Sequence, residues 1–187
     1  MIDLVSIFNR LSPLDKDASE ALRAVMANRK FAKGEQLLKA GDTCRFVYCV
    51  ETGLAKTYFT SESKEFIMRF FPEGSLFTVV DSFALRQPSN YSIMALEDMQ
   101  VSKVSYPDLT ALAERFHSIE TAYRHLLTIA TANMMKRISE MLEENASQRY
   151  QRFLSDHGPL MQRISLGDLA NYLGITQVSL SRIRATR

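Results

Sequence analysis

Cysteine is scarce in this 187-residue sequence: Cys44 and Cys49 are the only two. A small secreted fold stapled by disulfides carries more, and a structural zinc or iron–sulfur site needs about four ligands. The pair therefore reads as two reduced thiols in a cytoplasmic protein, with no metal and no cofactor expected. Long hydrophobic runs are missing too, and a bilayer-crossing helix needs about 18 or more consecutive apolar residues. The opening Met1-Ile2-Asp3-Leu4-Val5 has neither the basic flank nor the apolar stretch of a secretory signal. No Gly-x-Ser-x-Gly, Walker-type phosphate loop or His-Glu-x-x-His occurs. The three histidines, His117, His125 and His157, are scattered, so no catalytic residues are assigned. Excess charge of one sign is also lacking. Lys plus Arg is 23 and Asp plus Glu is 21, and a net charge of +2 taken as an average argues against a nucleic-acid partner.

What is present falls into three textures. Up to about Phe31 the pattern is helical. Ser12-Pro13-Leu14-Asp15 reads as an N-cap with proline at the first helical position, opening a helix through Met26. From Phe31 to Tyr106 the period is that of strands. Gly34, Gly41, Gly53 and Gly74 separate short apolar runs at 36–38, 46–50, 54–59 and 66–71, and strands resume at 91–95 and 101–105. Evenly spaced short strands with glycine at the turns predict a β-barrel or roll.

From Pro107 the chain reads as helical to its end, with no Gly or Pro over 108–157. Ile119, Tyr123, Leu127, Ala130, Met134, Ile138 and Met141 form an apolar stripe at alternating spacings of four and three. Phe116, Leu126, Ile129 and Leu142 widen it. One face can cover the β domain and the other can pair with a second chain.

Residues 164–184 carry the chemistry. Ser165 and Asp168 look like a capping box, and Leu166, Leu169, Ala170 and Leu173 form a buried face. Gly174 supplies a sharp turn, and Thr176 caps a second helix anchored by Leu180 and Ile183. This is the pattern of a helix-turn-helix. Gln177, Val178, Ser181, Arg182 and Arg184 are then left for a partner. Arginine pairs bidentately with guanine and glutamine with adenine in a major groove that admits a helix, while Thr176 and Ser179 suit phosphate contact. The charge also divides by position. Residues 148–187 hold six arginines, no lysine and two acids, a net +4. The other 147 residues hold 17 basic and 19 acidic groups, a net −2. The positive end coincides with the helix-turn-helix, as phosphate binding requires.

The order of roll, long helix and helix-turn-helix resembles the Crp/Fnr family of bacterial transcription regulators. Lys33-Gly34-Glu35-Gln36-Leu37-Leu38-Lys39-Ala40-Gly41-Asp42, Val50-Glu51-Thr52-Gly53-Leu54 and Phe71-Pro72-Glu73-Gly74-Ser75 look like its roll turns. Arg149-Tyr150-Gln151-Arg152-Phe153-Leu154, Leu169 to Thr176 and Leu180 to Arg184 are close to the version common in Bacteroidetes members. The resemblance implies a homodimer paired through the long helix, reading a two-fold-related site with Gln177, Val178 and Arg182, with RNA polymerase as a further partner. Two departures stand out. Where cyclic-AMP-binding members carry Gly-Glu-Leu and an Arg-Ser pair, this chain has Thr78-Val79-Val80 and Ser89-Asn90. Arg86 is the nearest arginine that could take the place of the missing one. The two cysteines also fall short of the set that oxygen-sensing members use for a cluster. Second, Val178 stands where many relatives carry glutamate, which changes base preference, and the chain stops after the recognition helix without a wing.

The expected protein is thus α+β: a double-stranded, jelly-roll-like β-roll over 1–110, a long dimerisation helix over 111–146 and a helix-turn-helix domain over 147–187. It is expected to bind double-stranded DNA as a homodimer without binding cyclic AMP. The alternative is a sensor gated by a small-molecule effector, with Phe77, Phe83, Arg86, Ser89, Asn90 and Tyr91 as candidate pocket liners. The aromatic members of that set can equally be core residues.

Overall fold

A computed structural model describes residues 2–62 and 64–185. The chain runs α1 (Leu4–Leu11), α2 (Lys16–Val25), β1 (Ala27–Phe31), β2 (Gln36–Leu38), β3 (Phe46–Thr52), β4 (Ala55–Ser61), β5 (Lys64–Phe71) and β6 (Leu76–Phe77). It continues through α3 (Val80–Leu85), β7 (Ser92–Ala95), β8 (Met99–Ser105), α4 (Tyr106–Arg115), α5 (His117–Glu143) and α6 (Ala146–His157). A 3-10 turn (Gly158–Gln162), α7 (Leu166–Leu173) and α8 (Gln177–Ala185) follow. The fold is α+β, as the sequence predicts.

The strands form two four-stranded antiparallel sheets, ordered β1-β8-β3-β6 and β2-β7-β4-β5. Alternation along each strand sends Val47, Cys49, Ala55, Phe77, Ile93, Ala95 and Val101 into a shared interior. Leu4 and Phe8 of α1, Leu22 of α2, Leu109 of α4 and Ile119, Ala122 and Leu126 of α5 close that core. Gly53 shows why a turn here demands glycine. Its φ is +90°, and a Cβ would lie 2.5 Å from the Met99 Cβ and 2.7 Å from the Asp98 carbonyl. A second core forms on the outer surface of β4–β5, where Tyr58, Ile67 and Phe70 meet Phe153, Leu160, Leu169, Leu173 and Leu180. The helix-turn-helix is thus built onto the outside of the roll.

Several expectations are corrected. Asp15, not Ser12, caps the second helix, accepting from the Ala18 N–H at 2.7 Å; Ser12 instead ends α1. The stretch before Phe31 is not wholly helical. Ala27–Phe31 is a strand with four of its five residues exposed, paired with β8 at the sheet's edge, where apolar alternation is not required. The run over 108–157, free of Gly and Pro, is three helices rather than one. Phe116 leaves the helical region (φ −124°, ψ 107°) to pack on the roll, and Asn145 starts α6 with a reciprocal capping box to Gln148. The apolar stripe of α5 divides accordingly. Ile119 is buried in the roll core and Tyr123 packs against it, whereas Met134, Ile138 and Met141 are exposed together with Met135 and Leu142. Among the described residues, no helix is long and apolar enough to cross a membrane.

Candidate nucleic-acid interface

α7 begins at Ser165, whose hydroxyl accepts from the Asp168 N–H at 2.9 Å, leaving the Asp168 carboxylate to take the hydroxyl proton at 2.6 Å. Leu169, Ala170 and Leu173 are buried, but Leu166, assigned to the same face, is half exposed in the first turn of α7. Gly174 ends α7 in the left-handed region (φ +70°), so the chain reverses at no steric cost. The Thr176 hydroxyl accepts from the Ser179 N–H at 3.1 Å and lies 3.0 Å from the Ser179 hydroxyl. These two residues therefore serve the local start of α8, with the hydroxyls still at its N-terminus.

Leu180, 1% exposed, pins α8 to the second core with Ile183 beside it. The opposite face carries Gln177, Val178, Ser181, Arg182 and Arg184, all exposed, so five sequence-predicted residues share one outward surface. Gly167 contributes indirectly: its missing Cβ would lie 3.0 Å from the Gln177 amide nitrogen, so glycine leaves room for that side chain against the start of α7.

The remaining arginines behave differently from the expectation of a basic footprint. Arg149 donates to the carbonyls of Leu173 and Glu144, tying two helix C-termini together. Arg152 pairs with Glu144. Arg163 makes forked pairs with Glu73 and Glu97 of the roll. Arg187, counted in the same footprint, lies outside the described residues. Of the five described arginines, Arg182 and Arg184 stand on the outward face of α8, whereas Arg149, Arg152 and Arg163 are engaged within the protein.

Sequence reasoning missed the groups that hold the helix-turn-helix in place. Phe70 of β5 packs against Phe153 and Tyr172 with ring centroids 6.2 and 5.4 Å apart. Arg137 of α5 stacks 4.0 Å above the Tyr172 ring and donates to the Tyr172 carbonyl. Lys56 of β4 reaches Asp168 at 2.8 Å and Glu65 at 2.6 Å. Glu73 and Asp168 are held charged. Arg163 beside Glu73 draws its pKa down to about 2, and Asp168 also falls below its ordinary value, with Lys56 and Ser165 outweighing its burial.

The six proposed effector liners lie in different surroundings. Phe77 stacks between Tyr48 and Phe71 at 5.3 and 4.5 Å. Phe83 packs edge-on against Tyr106 and Tyr123. Tyr91 meets Phe59 on the other sheet. The Ser89 hydroxyl is 2% exposed as a residue and bonds both the carbonyl and the N–H of Tyr91, while Asn90 is exposed. Arg86 folds back in a left-handed conformation, donates to the Cys44 carbonyl at 3.0 Å and covers the Tyr106 ring. The two cysteines are free and buried, and burial next to Glu51 pushes the Cys49 thiol up to about 12.

A roll of two antiparallel sheets, a long helix and a capped helical hairpin with an exposed polar second helix together define a β-roll, helix-turn-helix protein. Residues 28–116 match the cyclic nucleotide-binding domain family. The chain is 27% identical to the fumarate and nitrate reduction regulatory protein of Vibrio cholerae, over 91% of its own length and 72% of that protein's. It is 27% identical to the protein of the same name in Yersinia pestis, over 81% of the chain and 64% of the relative. Among solved structures, FixK2 of Bradyrhizobium japonicum superposes with a TM-score of 0.76 at 19% identity, covering 87% of this chain and 84% of that one. The cyclic-di-GMP-responsive global regulator CLP of Xanthomonas campestris superposes with a TM-score of 0.75 at 17% identity, covering 92% and 91%. The chain is thus similar over most of its length to proteins named as regulators, and it shares its fold with solved regulators.

Proposed function

We propose that the protein is a homodimer that binds a two-fold-related site on duplex DNA through α8, and that its roll does not take cyclic AMP. The observation that carries this reading is the outward face of α8. Gln177, Val178, Ser181, Arg182 and Arg184 are exposed together on a helix that Leu180 fixes from beneath. A helix so presented fits a major groove, with its N-terminal hydroxyls near phosphate and its arginines near base edges. The distal half of α5 supports pairing: Met134, Met135, Ile138, Met141 and Leu142 are between 41% and 81% exposed, an apolar surface that a second copy of the helix would cover.

The division of labour follows the three segments. Residues 1–110 act as the body, 111–146 as the pairing helix and 147–187 as the DNA-binding unit. The reading against cyclic AMP rests on Ser89 and Arg86. Ser89 is engaged with Tyr91, and Arg86 lies over the Tyr106 ring with its Nη1 on the Cys44 carbonyl. The test is a gel-shift with duplex pools at low salt. A complex that weakens as salt rises and prefers one sequence over scrambled competitor is expected. No complex at low salt would overturn the proposal.

A further inference from the structure

The contact between the helix-turn-helix and the roll is charged at both ends and apolar between. At one end Arg163, just before α7, grips two carboxylates of the roll in fork geometry. Its Nε and Nη2 donate to the Glu97 oxygens at 2.9 and 2.6 Å, and its Nη1 and Nη2 to those of Glu73 at 2.8 Å each. Glu73 is itself fixed, since it also accepts from the Gly53 N–H at 2.8 Å in the tight β3–β4 turn. At the other end Lys56, 5% exposed, sits between Glu65 and Asp168, and Asp168 is the residue whose N–H and carboxylate engage Ser165 at the start of α7. Phe70, Phe153 and Tyr172 fill the seam.

An exposed, solitary ion pair holds nothing in place, because two long side chains keep their freedom in water. Forked arginine–carboxylate pairs are different, since two parallel bonds fix direction as well as distance. One such point would still leave the hairpin free to swivel. Two points on either side of an apolar seam do not, and rotation would strip a nearly buried lysine of its counter-charges.

We infer that Arg163 and Lys56 are positioning residues that clamp each helix-turn-helix to its own roll and so set the distance between the two recognition helices of a dimer. This rests on the proposed reading of a dimer on a two-fold site. A dimer reads half-sites one helical turn apart only if its two helices are held at that separation. The pairing helix fixes roll to roll, and the clamp fixes helix-turn-helix to roll.

The test uses the full chain as wild type, Arg163→Met, Arg163→Lys and Glu97→Gln, each checked for cooperative thermal unfolding. Each is offered a duplex library in which two copies of the selected half-site are separated by a varied spacer, and a duplex bearing a single half-site. Wild type should select one spacing. Arg163→Met should bind neighbouring spacings almost equally and lose about tenfold or more on the preferred one, the scale of one charged hydrogen bond. Single-half-site affinity and base preference should stay unchanged, which a general loss of structure would not allow. Arg163→Lys should fall between, and Glu97→Gln, which keeps the Glu73 fork and shortens no side chain, should show the smaller broadening. A folded Arg163→Met protein with the wild-type spacing profile overturns the clamp while leaving the dimeric reading intact. Tighter binding by that variant overturns it as well, since the contact would then restrain DNA binding. Wild type without any spacing preference overturns both.

Discussion

The segment from β6 to β7, which includes α3, and the segment from the end of α7 through α8 both carry polar groups, yet these point in opposite directions. In the first, Ser82 accepts from the Cys44 N–H and donates to the Gln87 carbonyl, Ser89 closes a turn on Tyr91, and Arg86 lies against the Cys44 carbonyl. Phe77 and Phe83 fill the roll core. In the second, caps satisfy the helix ends while Gln177, Ser181, Arg182 and Arg184 remain on the surface. The lesson is that a polar segment reports function by where its groups are aimed rather than by its composition. The first region's groups are spent within the roll, and the second's are presented outward.

The largest expected effect tests the architectural side. Phe83 is fully buried between Tyr106 and Tyr123, so Phe83→Ala should cost about 3–5 kcal/mol, read from the denaturant midpoint at unchanged slope. Next comes the interface. Arg182→Ala should weaken binding to the selected site by ~1–3 kcal/mol, measured by titration at fixed salt. Acid should then act on the seam between the two regions. Glu73 has a folded pKa of about 2 against an ordinary 4.5, so its contribution is complete above about 4.5 and is lost as the pH falls towards 2. Thermal unfolding followed from pH 6 downward should show that loss, reduced in Arg163→Met. Ser89→Ala should cost about 1 kcal/mol, the scale of one hydrogen bond within a turn. The smallest effect is none: cyclic AMP should leave the melting temperature unmoved, and a clear rise would show that the roll takes the nucleotide.

Much of this contrast is readable from residues alone, because it depends on local patterns. Glycine at tight turns marks the strands, and Gly174 with Thr176 marks the hairpin at single-residue precision. What is not readable depends on partners distant in sequence. Arg163 and Glu73 are 90 residues apart and Lys56 and Asp168 are 112 apart, so nothing local distinguishes them from surface charge. For the same reason the positive charge of the C-terminal segment looks like a DNA footprint until Arg149, Arg152 and Arg163 are seen engaged with the protein itself. The helix breaks fall between these cases. Asn145 with Gln148 is a legible capping box, hidden by the absence of Gly or Pro, whereas Phe116 departs from the helix through packing on the roll.

The most direct measurement is selection of bound duplexes from a random pool by the full chain, with no nucleotide added. The account predicts enrichment of a two-fold-symmetric sequence with half-sites about one helical turn, roughly 10–10.5 base pairs, from centre to centre. A pool that stays unenriched, or that yields symmetric sites only after cyclic AMP is supplied, would contradict it.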